Sequence, residues 1–292
     1  MKIRFILNPV SGKHHTDIES MARCIQLNFP GADMRLTKAA GHATELAREA
    51  AAENFDVVVA IGGDGTINET ARGLVHTKTA LAVVPRGSGN GFARELGMPL
   101  LLEEAVMRLQ RGRISPCDAG YANGELFLNV AGVGLEAEIA WQFMEHGKTG
   151  ARGKWPYFKL GAKTVFSYKP PMWDIQADGE HDLIAPLTLV FANGKQYGSN
   201  FKIAPRANLG DGLLDMVAVQ DAPKWQLALS LPGFFWEPWK LFSVKTTRPV
   251  KHVILTQDGQ FPYHIDGEPR LANGKLEISV EPHALNVLFP EK

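Results

Sequence analysis

Apolar residues in the first part of the chain come in short runs rather than singly. Val57-Val58-Val59-Ala60-Ile61 and Ala80-Leu81-Ala82-Val83-Val84-Pro85 show no polar alternation, the pattern of strands buried on both faces, and Ile3 to Leu7 reads the same way. Ala32 to Thr37 adds a further strand. Between these runs the pattern is helical: from near Thr16, from Gly41 to Asn54 with Glu45, Arg48 and Glu49 on its wet face, and from Thr66 to about Val75. Strand and helix in alternation predict a parallel sheet. From about Arg113 the texture changes to short β-like runs at Ile114 to Tyr121, Leu126 to Ala131, Trp173 to Ala177, Leu187 to Ala192, Leu214 to Val219, Val250 to Leu255 and Leu276 to Val280. With Gly, Asn, Asp and Pro at the joints, this predicts an antiparallel sandwich.

Two segments interrupt the β texture. His146 to Lys169 sets Lys148, Arg152, Lys154, Lys159, Lys163 and Lys169 among Trp155, Tyr157, Phe158, Phe166 and Tyr168. Trp225 to Val244 gathers Trp225, Phe234, Phe235, Trp236, Trp239 and Phe242 around two prolines. Each fits either an ordinary element with its aromatics in a core or a surface that meets lipid headgroups.

At 292 residues, 45% of them hydrophobic, the chain is long for one domain and sufficient for two, divided at residue 113: 1–113 α/β and 114–292 β-rich. Its formal charge is zero, so no global field points to nucleic acid. Cys24 and Cys117 have neither metal nor redox spacing. The apolar run at the N-terminus reaches Asn8-Pro9 too soon for a signal peptide, and no stretch is long enough to span a bilayer. A cytoplasmic protein, soluble or peripherally bound to a membrane, is expected.

The chemistry gathers where the buried strands end. Val57 to Ile61 empties into Gly62-Gly63-Asp64-Gly65-Thr66, and Ala80 to Pro85 into Arg86-Gly87-Ser88-Gly89-Asn90. Glycines let a phosphate approach the main chain, and the following helix supplies amides and the positive end of its dipole. Asp64 would repel phosphate unless a Mg2+ stood between them; a cap on the next helix is the plainer alternative. The loop Asn8-Pro9-Val10-Ser11-Gly12-Lys13 after the first strand lacks the Walker spacing, which excludes the P-loop fold. Asp211 and Asp215 flank Gly212 in a segment that suits either a hard cation such as Mg2+ or a β-turn.

Asn8-Pro9-x-Ser11-Gly12, Gly62-Gly63-Asp64-Gly65-Thr66-x-Asn68-Glu69, Pro85-x-Gly87-Ser88-Gly89-Asn90, Asp211-Gly212-x-Leu214-Asp215 and Asp266-Gly267-Glu268, in this order, resemble the diacylglycerol kinase catalytic-domain family. That family includes sphingosine kinases and bacterial lipid kinases. Gly91 stands where many diacylglycerol-type members have Asp, nearer the sphingosine-kinase form. The resemblance implies a Rossmann-like α/β domain of the NAD kinase and phosphofructokinase type, a C-terminal β-sandwich, and an ATP-Mg2+ site in the cleft between them. It implies transfer of the γ-phosphoryl group to a lipid hydroxyl. Asn8, Ser11, Gly12, Gly62, Gly63, Gly65, Thr66, Gly87, Ser88, Gly89 and Asn90 would then hold the nucleotide, and Asp64, with Asp211 and Asp215, metal. Glu268 is favoured as the base over Glu136 and Glu138, and Asp118 joins the metal network or a turn. A lipid substrate, a membrane surface and a second copy of the chain are the partners this reading admits, and nucleic acid is not among them. An NAD kinase-type enzyme and a nucleotide- or lipid-binding regulator without catalysis are the competing functions.

Overall fold

The computed structural model describes residues 1–12, 18–148, 164–165, 167–197, 201–223 and 245–291. Two compact units are present, one of Met1–Ala119, Leu209–Asp211 and Glu281–Lys292, the other of Gly120–Asn208 and Gly212–Val280. Where the sequence suggests a single division after residue 113, the first unit also regains two later segments: Glu281–Lys292, because the long final strand ends on its sheet, and Leu209–Asp211, where the Leu209 carbonyl accepts the Asp118 N–H at 2.6 Å.

In the first unit β1 (Ile3–Leu7), β2 (Asp33–Leu36), β3 (Val57–Gly62) and β4 (Ala80–Pro85) pair in the order β4-β3-β1-β2, all parallel. The helices are α1 (Ile18–Asn28), α2 (His42–Ala52), α3 (Asp64–Leu74), α4 (Gly91–Glu95) and α5 (Leu102–Leu109). Every residue of β3 and β4 is buried, as their unbroken apolar runs require. Arg4 is the exception within β1: its side chain is 2% exposed, yet Nε meets Asp33 at 2.6 Å, Nη2 meets Glu53 at 3.1 Å, and the guanidinium lies 4.5 Å from the Phe55 ring centroid. A charge taken out of water is tolerable only with such partners.

The second unit is antiparallel. Its elements include β6 (Glu125–Phe127), β7 (Val130–Gly134), α6 (Leu135–Lys148), β8 (Trp173–Ala177), β9 (Glu180–Ile184), β10 (Pro186–Ala192), β11 (Leu214–Gln220), β12 (Lys245–Val250) and β13 (His252–Ile265). β5 (Arg113–Ala122) enters this unit from the first, and β14 (Glu268–Phe289) leaves it. The order β12-β11-β10-β7-β13-β14 is completed by the β8-β9 hairpin on β13 and by the β5-β6 hairpin. Strand alternation feeds two cores: Leu189, Phe191, Met216 and Ala218 join Trp173, Phe127 and Phe261, while Val190, Ala192, Val217 and Val219 join Ile203, Ala204 and Ala207. Trp173 meets Phe261 edge-on at 4.9 Å.

The strands differ from the sequence reading where carboxylates intervene. The single run Leu126 to Ala131 is broken into β6 and β7, because the Asp266 carboxylate accepts the N–H groups of Leu128, Asn129 and Val130 at 2.8–3.0 Å. The run Val250 to Leu255 breaks at Lys251, where Asp178 accepts the N–H groups of Lys251 and His252. Helix α6 and the charged strand β9 were not expected, and the short run Leu276 to Val280 extends into the 22-residue β14. Asp118 lies in β5, not in a turn, fully buried, with its carboxylate accepting the His283 N–H at 2.8 Å. Among the described residues no helix is long and apolar enough to cross a membrane.

Candidate active site

Adjacent parallel strands release their loops at one edge of a sheet, and β4, β3 and β1 are adjacent. The loops after them meet main chain to main chain. The Arg86 N–H donates to Gly62 O at 2.7 Å and the Asn8 N–H to Ile61 O at 3.0 Å, each extending the ladder past its strand. A Cβ on Gly87 would lie 2.6 Å from Gly63 Cα, closer than real Cβ atoms come, and one on Gly89 would lie 3.1 Å from Asp64 Oδ2. Gly12, at φ +94°, sits against the Arg86 carbonyl, which a Cβ would meet at 3.0 Å. Gly62 is hemmed in by Thr66, whose side chain would be 2.5 Å away.

Asp64 is the first residue of α3, with Gly63 as its N-cap, so it does not cap the helix itself; its carboxylate stands in the first turn, half-buried beside Gly89. Gly65 follows it in that turn. The short polar side chains assigned to nucleotide serve first to shape the loops. Asn8 Nδ2 donates to Thr66 Oγ1 at 3.0 Å, Ser11 Oγ donates to Asn8 O at 2.9 Å, and Asn90 closes on Gly87 with Oδ1 accepting at 2.7 Å and Nδ2 donating at 2.8 Å. Asn90 adopts φ +51°, a conformation asparagine reaches more readily than most residues. Ser88 is exposed.

Two cations here were passed over in the sequence. Arg86 Nη1 donates to Asn8 O at 3.3 Å, and Arg94 Nε to Gly89 O at 3.2 Å, which puts one guanidinium against the loop after β1 and the other against the second glycine loop. Burial lowers the Arg86 pKa from the ordinary guanidinium value. A cation directly between a buried strand and a Gly-x-Gly turn was the available signal.

The other candidate residues lie in the second unit. Asp266 and Gly267, at φ +48° and +85°, form the turn from β13 to β14, and Glu268 opens β14 opposite Ile265. Glu268 is half-exposed and meets Arg270 at 3.2 Å. Glu136 and Glu138 lie on α6, two residues apart and so on different faces. Glu136 Oε1 is 3.2 Å from Nε2 of the buried His264, in space kept open by Gly132, where a Cβ would lie 2.5 Å from that oxygen. Burial first, then the Glu136 charge beside it, pushes the Tyr197 phenol well above its ordinary pKa. Glu138 accepts from Gln142 at 2.7 Å and lines a 240 Å³ pocket with Tyr168, Lys169, Trp173 and Phe261.

Asp211 is exposed beside Gly212 at φ +73°, and Asp215 is half-buried in β11. Among the described residues no three His, Cys, Asp or Glu side chains cluster closely enough to hold a metal by themselves. A hard cation at Asp64 would therefore complete its shell with phosphate oxygens and water. The glycine-walled edge beside that carboxylate fits such a phosphate-bound ion.

Residues 2–122 match the diacylglycerol kinase catalytic domain model, and residues 129–289 match the YegS C-terminal NAD kinase beta sandwich-like domain model. The diacylglycerol kinase of Bacillus subtilis (strain 168) is 33% identical over 228 residues, spanning 76% of this chain and 74% of that one. This chain belongs to the diacylglycerol kinase catalytic-domain family. A Pseudomonas putida KT2440 protein named probable lipid kinase YegS-like is 32% identical over 265 residues, 88% of this chain and 85% of its own. A crystal structure of a diacylglycerol kinase from Bacillus anthracis str. Sterne covers 99% of this chain and 96% of its own, with a TM-score of 0.75 at 22% identity, a likeness of fold. Family membership makes the protein a lipid kinase, built as an α/β domain and a β-sandwich.

The contact between the glycine loops generates a test. Gly87→Ala must push Gly63 away, and we expect about 1–3 kcal/mol of lost stability from the overpacking. On the nucleotide-binding role proposed below for these loops, a shift of a fraction of an ångström should raise the KM for ATP about tenfold or more. Melting curves and initial rates check both; unchanged nucleotide kinetics would remove this contact from the site.

Proposed function

We propose that this lipid kinase uses ATP with Mg2+ and phosphorylates a hydroxyl of diacylglycerol or a related membrane lipid. The observation that carries the nucleotide half is the main-chain contact of the Gly62–Thr66 and Arg86–Asn90 loops beside Asp64. The lipid half is supported by relatives named as diacylglycerol and lipid kinases.

When bound, ATP supplies the γ-phosphoryl group and Mg2+ the charge that neutralises it. The chain's own residues bind and orient. Asp64 would hold the cation, and the amides of the glycine loops, with Ser11, Ser88 and Asn90 in the loops and Thr66 in the first turn of α3, would hold phosphate and sugar. Arg86 and Arg94 add positive charge to the second loop. Glu268 would accept the proton that the lipid hydroxyl loses, with Glu136 and Glu138 as the other carboxylates available in the second unit.

Asp64→Asn keeps the side chain's size and removes its charge. We expect it to fold normally and to lower kcat by about a hundredfold or more. The assay is labelled ATP with a panel of diacylglycerol, a long-chain base, phosphatidylglycerol and a polyprenol. Near-normal turnover by a folded variant would take Asp64 out of the mechanism, and no labelled lipid from the wild type would overturn the lipid reading.

Asp211 and Asp215 are proposed to share a structural Mg2+. Chelator should then lower the Tm of the wild type but not that of Asp211→Asn; equal responses would leave the segment as a turn.

Peripheral membrane contact is proposed from the cation and aromatic content of Lys148 to Lys169 and Trp225 to Phe242, which lie almost wholly outside the described residues. Attraction of about 1 kcal/mol per cation near an anionic surface would make binding salt-sensitive. Replacing Lys154, Lys159 and Lys163 by Gln should weaken sedimentation with anionic vesicles at low salt while leaving the KM for ATP unchanged. Wild-type vesicle binding by this variant would defeat the membrane assignment.

A further inference from the structure

The backbone around Glu268 is held firmly. The Asp266-Gly267 turn is pinned by three main-chain N–H groups on the Asp266 carboxylate, and Glu268 pairs with Ile265 across the hairpin. What remains free is the long side chain of Glu268, and among the described residues one group restrains it. Arg270 lies two residues along β14, on the same face, and its Nη2 donates to Glu268 Oε2 at 3.2 Å.

That guanidinium is itself immobilised. Nε donates to Glu125 Oε2 at 3.0 Å and Nη2 to Glu125 Oε1 at 2.7 Å, a two-pronged pairing that fixes the plane of the group. Nη1 donates to the Pro269 carbonyl at 3.0 Å. All three nitrogens are thus committed, and the hydrogen bond to Glu125 raises the Arg270 pKa above that of a free guanidinium. Glu125 comes from the β5-β6 hairpin, 145 residues away in sequence.

We propose that Arg270, locked by Glu125, is a positioning residue that sets the direction of the Glu268 carboxylate. The inference rests on the role given to Glu268 above. The contact is single and engages one of its two oxygens, and a carboxylate has about four lone-pair sites, so Glu268 keeps acceptor capacity for a substrate proton or a cation. The positive charge also separates two carboxylates that share one nitrogen of the same guanidinium. Without it, Glu125 and Glu268 would repel, and Glu268 would swing away from Glu125.

The alternative is that Arg270 only staples the β5-β6 hairpin to β14. The test uses the full chain as wild type, Arg270→Met, Arg270→Lys, Glu268→Gln and the Arg270→Met/Glu268→Gln double variant. Side-chain carboxyl NMR on protein labelled with 13C-glutamate identifies Glu268 as the resonance lost in Glu268→Gln. We expect that resonance to shift in Arg270→Met and to move part of the way back in Arg270→Lys. In the kinase assay, with ATP and diacylglycerol in mixed micelles, Arg270→Met should lower kcat about tenfold or more with the KM for ATP nearly constant. In the Glu268→Gln background the same change should cost nothing further, since both act through one group. An unmoved Glu268 resonance, or an equal proportional loss of kcat in both backgrounds, overturns the positioning role. Wild-type turnover by Glu268→Gln would instead remove Glu268 from the reaction, while the NMR arm would still decide whether Arg270 orients it.

Discussion

Gly63 and Gly87 touch through their backbones, and the arrangement of the two glycine-rich loops of the α/β unit depends on that approach. It is possible because β3 and β4 are parallel neighbours in register, Ile61 beside Val84 and Gly62 beside Pro85, so both loops leave the sheet at one level. The strands must be buried on both faces to stay parallel and regular, which explains why neither contains a polar residue. Any side chain at Gly87 would separate the loops. A run of valines and a pair of glycines are therefore two parts of one requirement.

In the second unit the irregular backbone is satisfied by carboxylates instead. Where an antiparallel strand stops, its amides lose their ladder partners, and a buried amide without a partner is costly. Asp266 takes three such amides between β6 and β7, and Asp178 takes two between β12 and β13. In the fold these aspartates decide where strands end. The Asp-Gly-Glu element thus divides its labour, with Asp266 fixing the backbone and Glu268 left to present a carboxylate.

This division explains what could be read from the chain alone. β3, β4 and the glycine turns were legible because their cause is local: β-branched runs and residues without a Cβ. The antiparallel texture of the second half was legible for the same reason. Arg4 in an apolar strand was not, since its burial depends on Asp33, Glu53 and Phe55, brought in by other elements. Strand β9, Glu-His-Asp-Leu-Ile, has no apolar run and exists because β8 offers it a ladder. Glu268 could be picked out from its neighbours, but not the lock on its tether Arg270, because Glu125 is remote in sequence.

The polar side chains of the glycine loops follow from peptide geometry. In a trans peptide the C=O and the next N–H point to opposite sides. Asn90 Nδ2 holds the Gly87 carbonyl, so the Ser88 N–H is turned the other way; Arg94 Nε holds the Gly89 carbonyl, so the Asn90 N–H is turned likewise. Two carbonyls of the loop are thus engaged by the protein, and with the Gly87 N–H spent on Asn90 Oδ1, the Ser88 and Asn90 amides are the donors the loop could offer an anion. In the proposed nucleotide-binding role, Asn90 and Arg94 would act on phosphate through the peptides they orient rather than by direct contact. The same loop places Gly89 beside Asp64, so the carboxylate that would otherwise repel phosphate lies where a divalent ion could join it to the donor surface.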